Sequence, residues 1–347
     1  MKAAVLTGTG KIEIADVPRP RITGEGDVLL RVDVVGVCGS DVHYYETGRI
    51  GSQVVEYPFI VGHECAGVVV ETGKAVSRVK PHDRVFIEPA VTCGECDQCR
   101  AGRANTCRNL KFLGCPQQVG GCLCEYIVMP EHCCFGIGPD LSLETAVLCE
   151  PLAIGLYAVR GAAPSPRDSA AILGAGPIGL SCLLALQHAG VEKCFMTEKI
   201  PERIGIASAA GAAWVGNAGT EDVVAGILER SGGGVKAVFE CAGQQETVDQ
   251  AVELLEPGGK LMMIGIPRTE RISVVIDKAR RKEITVVNVR RQNNCTGDCL
   301  GLIASGKIRA DFMITHRFAF ERAKEAFDTV AGYRDGVLKA MIEVRQT

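Results

Sequence analysis

Residues 170–180, AAILGAGPIGL, run from an apolar strand into a glycine-rich turn and on into a helix. Gly174, Gly176 and Gly179 form the pattern G-x-G-x-x-G. Such a turn lets backbone approach a pyrophosphate. The first glycine makes the bend, the second permits close approach, and the third lets helix and strand pack. Pro177 and Ile178 open the helix, and its free N–H groups and positive dipole end face the phosphates. Glu198 ends the next predicted strand, 19 residues after Gly179. A carboxylate there accepts hydrogen bonds from the adenosine ribose hydroxyls. It favours NAD, because a 2′-phosphate would meet a like charge. Lys199 and Arg203 follow closely. They either receive such a phosphate, which makes NADP the less favoured alternative, or are solvated charges at a helix start.

Outward from this turn the texture is regular. The segments DSAAILGAG, KCFMTEK, VKAVFECAG and KLMMIGIP read as strands. Between them PIGLSCLLALQHAG, PERIGIASAAGA, TEDVVAGILERSGG and QQETVDQAVELLEPGG read as helices. Alternation of this kind predicts a doubly wound parallel sheet, a Rossmann domain over residues 151–285. Residues 1–150 are β-rich, with short β-branched runs such as VLLRVDVVGVCG and AGVVVETG bounded by glycine. The tail holds two predicted helices, in DCLGLIASGKI and FERAKEAFDTVAGY, and a last strand, LKAMIEV.

The bulk properties exclude several classes. The chain has 347 residues and a formal net charge of −3, so no basic excess points to nucleic acid or an anionic membrane. MKAAVLTGTGKIEI reads as a first strand rather than a secretory leader. No apolar run reaches the ~18 residues of a spanning helix. The 17 cysteines in a chain of this length predict reduced thiols in a cytoplasmic setting, some on metal, rather than a disulfide framework.

The densest thiol cluster is CGECDQCRAGRANTC, residues 93–107. Cys93, Cys96, Cys99 and Cys107 have the type and density of a structural zinc site, with Gly94, Gly102 and Asn105 supplying turns. Four thiolates saturate a tetrahedral ion, so this site cannot bind substrate. A catalytic zinc needs an open position. Its candidate ligands are Cys38 in GVCGSDVHYY, His63 and Glu64 in FIVGHECAG, and Glu150 in LCEPLAIG, the last binding directly or through water.

Taken together, GVCGSDVHYYETGRIG, VGHECAG, the four-cysteine segment, CEPLAIGLYA and ILGAGPIGL resemble the zinc-dependent medium-chain dehydrogenase/reductase family. The resemblance is strongest to its polyol branch of sorbitol, xylitol and L-iditol dehydrogenases, and it runs essentially end to end. It implies an α/β protein. A GroES-like β-rich catalytic domain, residues 1–150 plus 286–347, would accompany the Rossmann domain. It implies two Zn2+ per subunit and a homotetramer or homodimer. The catalytic ion would be held by Cys38, His63 and Glu64 or Glu150, the polyol branch having glutamate where other alcohol dehydrogenases place a cysteine.

The reaction implied is oxidation of a secondary alcohol of a small-molecule polyol to a ketone with NAD. Ser40 and His43 match a hydroxyl and histidine that relay the proton in related enzymes, with a surface histidine as the other reading of His43 and Glu150 as a competing acceptor. Tyr44 and Phe112 match positions lining the polyol pocket, and Arg290 matches a substrate-side arginine. Arg291 departs from the pattern, where sorbitol dehydrogenases usually carry an aromatic. A second guanidinium suits a carboxylate or phosphate on the substrate, or an acidic partner at a subunit contact. The alternatives are a threonine, sugar-acid or sugar-phosphate dehydrogenase on the same scaffold, or a non-catalytic NAD(P)-binding member of the fold. Cys122, Cys124, Cys133 and Cys134 fit no ligand spacing and read as buried small hydrophobes.

Overall fold

The computed structural model describes residues 1–345. They form two compact units, Met1–Glu150 with the segment from Thr296 onward, and Pro151–Cys295.

In the first unit the strands Asp27–Gly36 and Glu64–Thr72 pair antiparallel at the centre of a seven-stranded sheet. Their apolar residues enter a core that includes Val28, Leu30, Val32, Val35, Cys65 and Val69. Asp27–Gly36 also takes the C-terminal strand Lys339–Glu343 on its other side, with Met341 opposite Gly36. Lys339–Glu343 is parallel to Ile314–Ala319, and the helix Ala323–Ala331 makes the crossover. The tail therefore belongs to the first unit because its strands complete that sheet.

The second unit is a six-stranded parallel sheet in the order Trp214–Asn217, Lys193–Glu198, Ser169–Leu173, Val235–Glu240, Leu255–Met263, Thr285–Asn288. The four strands expected from sequence are all present. The other two were not anticipated. Trp214–Asn217 and Thr285–Asn288 are four residues each, too short for a period to show. Thr285–Asn288 extends the sheet edge, so this unit runs past residue 285 to Cys295.

Helices Leu143–Val147 and Cys149–Ala162 form one continuous stretch, Leu143–Ala162, long and apolar enough by composition to cross a membrane, in contrast to the expectation of no such run. Of its most apolar window, 72% is buried inside the protein, so packing against protein accounts for its apolar character.

Candidate active site

The first unit brings Cys38, His63 and Glu64 together at the adjoining ends of two paired strands. Cys38 follows the strand Asp27–Gly36 and is the N-cap of the helix Gly39–Thr47. Glu64 begins the partner strand, opposite Gly36, and His63 immediately precedes it. Their ligand atoms all lie within 4.8 Å of one another. Thiolate, imidazole and carboxylate form a sound zinc donor set with a position left open.

Asp41, which sequence reasoning missed, organises this group. It is 1% exposed. Its Oδ1 lies 3.2 Å from His63 Nδ1 and accepts from the Gly62 N–H at 3.2 Å. Its Oδ2 accepts from the Cys38 N–H at 3.2 Å. One carboxylate thus orients two candidate ligands and leaves His63 Nε2 for the metal. The signal was present in the sequence: an aspartate three residues into a helix can cap back onto the residue before it. Burial works to lower the His63 pKa, but Asp41 and the Cys38 thiol outweigh it and raise it well above the usual range.

Lys339, also missed, is 1% exposed, and its Nζ donates to both Glu64 oxygens at 2.8 and 2.7 Å. Glu150 stands in the first turn of Cys149–Ala162, is 8% exposed, and lies outside the ligand group. Burial, and to a lesser degree the Glu64 and Glu88 carboxylates, push its pKa up to about 7, against the opposing pull of His63 and Lys339. Ser40 Oγ donates to Cys38 Sγ at 3.4 Å. His43 is half-buried on the same helix. The Phe112 ring packs against the His63 ring with centroids 5.2 Å apart. Tyr44 is buried, and its hydroxyl donates to Gln53 Oε1 at 3.1 Å. Arg290 and Arg291 follow the last strand of the second unit. Arg290 is exposed, and Arg291 is half-buried with a φ of 54°.

Cys93, Cys96, Cys99 and Cys107 form the second ligand group, again with all four sulfurs within 4.8 Å. The Cys107 sulfur lies 3.5 Å from that of Cys93 and 3.9 Å from that of Cys96. Zinc–sulfur bonds of about 2.3 Å at tetrahedral angles place sulfurs about 3.8 Å apart, so the cage matches the ion. Gly94 and Gly102, with φ of 73° and 72°, make its turns. Backbone N–H groups at Cys99 and Arg108 bring the Cys96 thiol down to about 6, so one ligand is readily deprotonated. None of the 17 cysteines, all of which lie among the described residues, is in a disulfide. Cys122, Cys124, Cys133 and Cys134 are at most 2% exposed and belong to the apolar core, as the sequence suggested.

In the second unit the glycine-rich turn joins Ser169–Leu173 to the helix Pro177–His188, at the point where strand order reverses. Gly174 has a φ of 104°, and a Cβ on Gly179 would lie 1.9 Å from the Gly174 carbonyl oxygen, so local geometry requires both. A Cβ on Gly176 would meet only Arg203 Nη1, at 3.9 Å. Protein packing does not demand that glycine, and the missing Cβ leaves open the approach to the helix N-terminus. Glu198 accepts from the N–H groups of Ala175, Lys199 and Ile200 at 3.0, 2.7 and 3.1 Å, which fixes it beside the turn. Lys199 Nζ pairs with Glu246 at 3.1 Å. Arg203 is 6% exposed, so it is not a solvated helix-start charge. Glu240, unanticipated, accepts from Ala242 and Gly243 N–H groups at 2.9 and 2.7 Å and shapes the loop packed against Gly174.

Residues 24–139 match the alcohol dehydrogenase GroES-like domain, and residues 177–305 match the zinc-binding dehydrogenase domain. The chain belongs to the zinc-containing medium-chain alcohol dehydrogenase family. It is similar to L-idonate 5-dehydrogenase of Vitis vinifera, 36% identical over 95% of this chain and 91% of that one. It is similar to sorbitol dehydrogenase of Bacillus subtilis, 35% identical over 99% and 97%. A zinc-binding dehydrogenase from Sinorhizobium meliloti, solved with NADP bound, superposes with a TM-score of 0.90 at 31% identity over 99% and 98%. As a member of this family the protein is an NAD(P)-dependent zinc alcohol dehydrogenase of the alcohol/polyol group. The family shares the fold expected from sequence, a GroES-like domain with a parallel-sheet Rossmann domain.

Proposed function

We propose that this dehydrogenase oxidises a secondary hydroxyl of a sorbitol-, xylitol- or L-iditol-type polyol to the ketose, with NAD as the oxidant. The convergence of Cys38, His63 and Glu64 beside a separate, buried Glu150 carries this reading. In it Cys38, His63 and Glu64 hold the catalytic zinc, and Glu150 acts through a water rather than as a direct ligand. Cys93, Cys96, Cys99 and Cys107 hold a second, structural zinc, giving two ions per chain. When bound, the catalytic zinc lowers the pKa of a hydroxyl and NAD accepts a hydride.

The chain's own residues do the rest. Asp41 fixes the His63 tautomer and the Cys38 backbone. Phe112 walls the imidazole against water. Ser40 and His43, on the helix that Cys38 caps, carry the substrate proton outward, and Glu150 is its competing acceptor. Tyr44, Phe112, Arg290 and Arg291 contact the substrate. Gly174, Gly176, Pro177, Ile178, Gly179, Glu198, Lys199 and Arg203 make up the cofactor site. NAD is preferred over NADP because Glu198 is held at the turn and Lys199 is engaged by Glu246.

A second reading has its own support. Arg291 adds a cation where polyol enzymes usually have an aromatic, and one relative of 36% identity is an L-idonate 5-dehydrogenase. A sugar acid would use that charge. Steady-state rates with sorbitol, xylitol, L-iditol, galactitol, L-threonine and L-idonate, each with NAD+ and NADP+, test both. The polyol reading expects the highest kcat/KM for a polyol with NAD+. A sugar acid turned over more than tenfold better than every polyol overturns it.

A further inference from the structure

We propose that Lys339 is a positioning residue of the catalytic metal site, holding Glu64 as a shared rather than a full ligand. This rests on the reading of Cys38, His63 and Glu64 as that site. Lys339 has three N–H donors and three acceptors around it: Glu64 Oε1 at 2.8 Å, Glu64 Oε2 at 2.7 Å, and the Val37 carbonyl at 3.2 Å. Val37 immediately precedes Cys38. The ammonium is therefore saturated and fixed against the backbone that carries one candidate ligand while it grips the side chain of another.

The fold builds this contact deliberately. Lys339 starts the strand next to Asp27–Gly36, and Gly36 lies between that strand and Glu64, opposite both Met341 and Glu64. A Cβ on Gly36 would come within 2.4 Å of Glu64 Oε2. The φ of Gly36 is not in the left-handed region, so the glycine is needed for space alone. It clears the lane through which the Glu64 carboxylate reaches Lys339. A fixed cation on both Glu64 oxygens competes with a metal ion for the same lone pairs. It lowers the negative charge that Glu64 delivers to the metal, weakens metal binding, and leaves the bound ion more electrophilic.

The test is a metal titration of the intact protein with its four-cysteine site filled by zinc and the catalytic site emptied by chelator. Co2+ is added and followed by its thiolate charge-transfer and d–d absorption. In Lys339→Met, Co2+ binds about tenfold or more tighter than in wild type, and the d–d bands shift as Glu64 becomes a full ligand. Lys339→Arg, which keeps the charge, stays near wild type. Adding Glu64→Gln to Lys339→Met abolishes the gain. Should Lys339→Met fail to fold, Lys339→Gln serves, since it retains a donor without the charge. Affinity unchanged within twofold, or weaker, in a folded neutral variant overturns the proposal. A wild-type protein with no cobalt bands would overturn the metal site itself along with it.

Discussion

Asp41 Oδ1 sits 3.2 Å from Nδ1 of His63 while its other oxygen holds the Cys38 N–H. Removing this buried carboxylate frees two candidate ligands together. Asp41→Ala is expected to weaken metal binding at the catalytic site about 10- to 100-fold while the four-cysteine site keeps its ion. Metal analysis after dialysis against a weak chelator checks this. Full retention at both sites would remove Asp41 from the metal shell.

Cys38→Ser replaces the thiolate with a poor zinc ligand at a helix N-cap that tolerates serine. Turnover is expected to fall by at least about 1000-fold, with NADH binding by fluorescence unchanged. Activity within tenfold of wild type would take Cys38 off the metal.

The four-cysteine loop is expected to depend on its ion for order. Cys107→Ser should lower the zinc content from two ions per chain to one and reduce the melting temperature by about 5 °C or more. Atomic absorption and thermal melting read the two effects separately. A content that stays at two would deny that this group is a zinc site.

Glu198 receives three backbone N–H groups beside the glycine turn. Glu198→Ala is expected to raise the KM for NAD about tenfold or more and to narrow the preference over NADP, since the repelling charge is gone. Initial rates with both cofactors decide the matter. An equal loss for the two would mean that Glu198 supports the turn without reading the ribose.

Gly179→Ala places a methyl group 1.9 Å from the Gly174 carbonyl. Helix and strand must separate, so cofactor affinity and thermal stability should fall together. Gly176→Ala meets nothing closer than 3.9 Å within the protein. It should spare stability and weaken only the dinucleotide. Calorimetry with and without NADH distinguishes the pair.

Much of this protein was legible in its chain alone. The alternation of apolar strands and helices around AAILGAGPIGL, and the spacing of Cys93, Cys96, Cys99 and Cys107, are local patterns. Period and spacing within one segment determine them, so the parallel sheet and the four-thiol cage could be read directly. Lys339 and Gly36 could not, and of Asp41 only the local cap onto Cys38 was legible, not its contact with His63. Glu64 and Lys339 are 275 residues apart. They meet only because the last strand joins the first unit's sheet beside Asp27–Gly36, with a glycine leaving room between them. Strand register across the whole chain, and the burial that makes one ammonium and two carboxylates matter, exist only after folding. Composition set the chemistry available to this enzyme, and the tertiary structure decided which carboxylate faces the metal group, which stands outside it, and which cation holds the first in place.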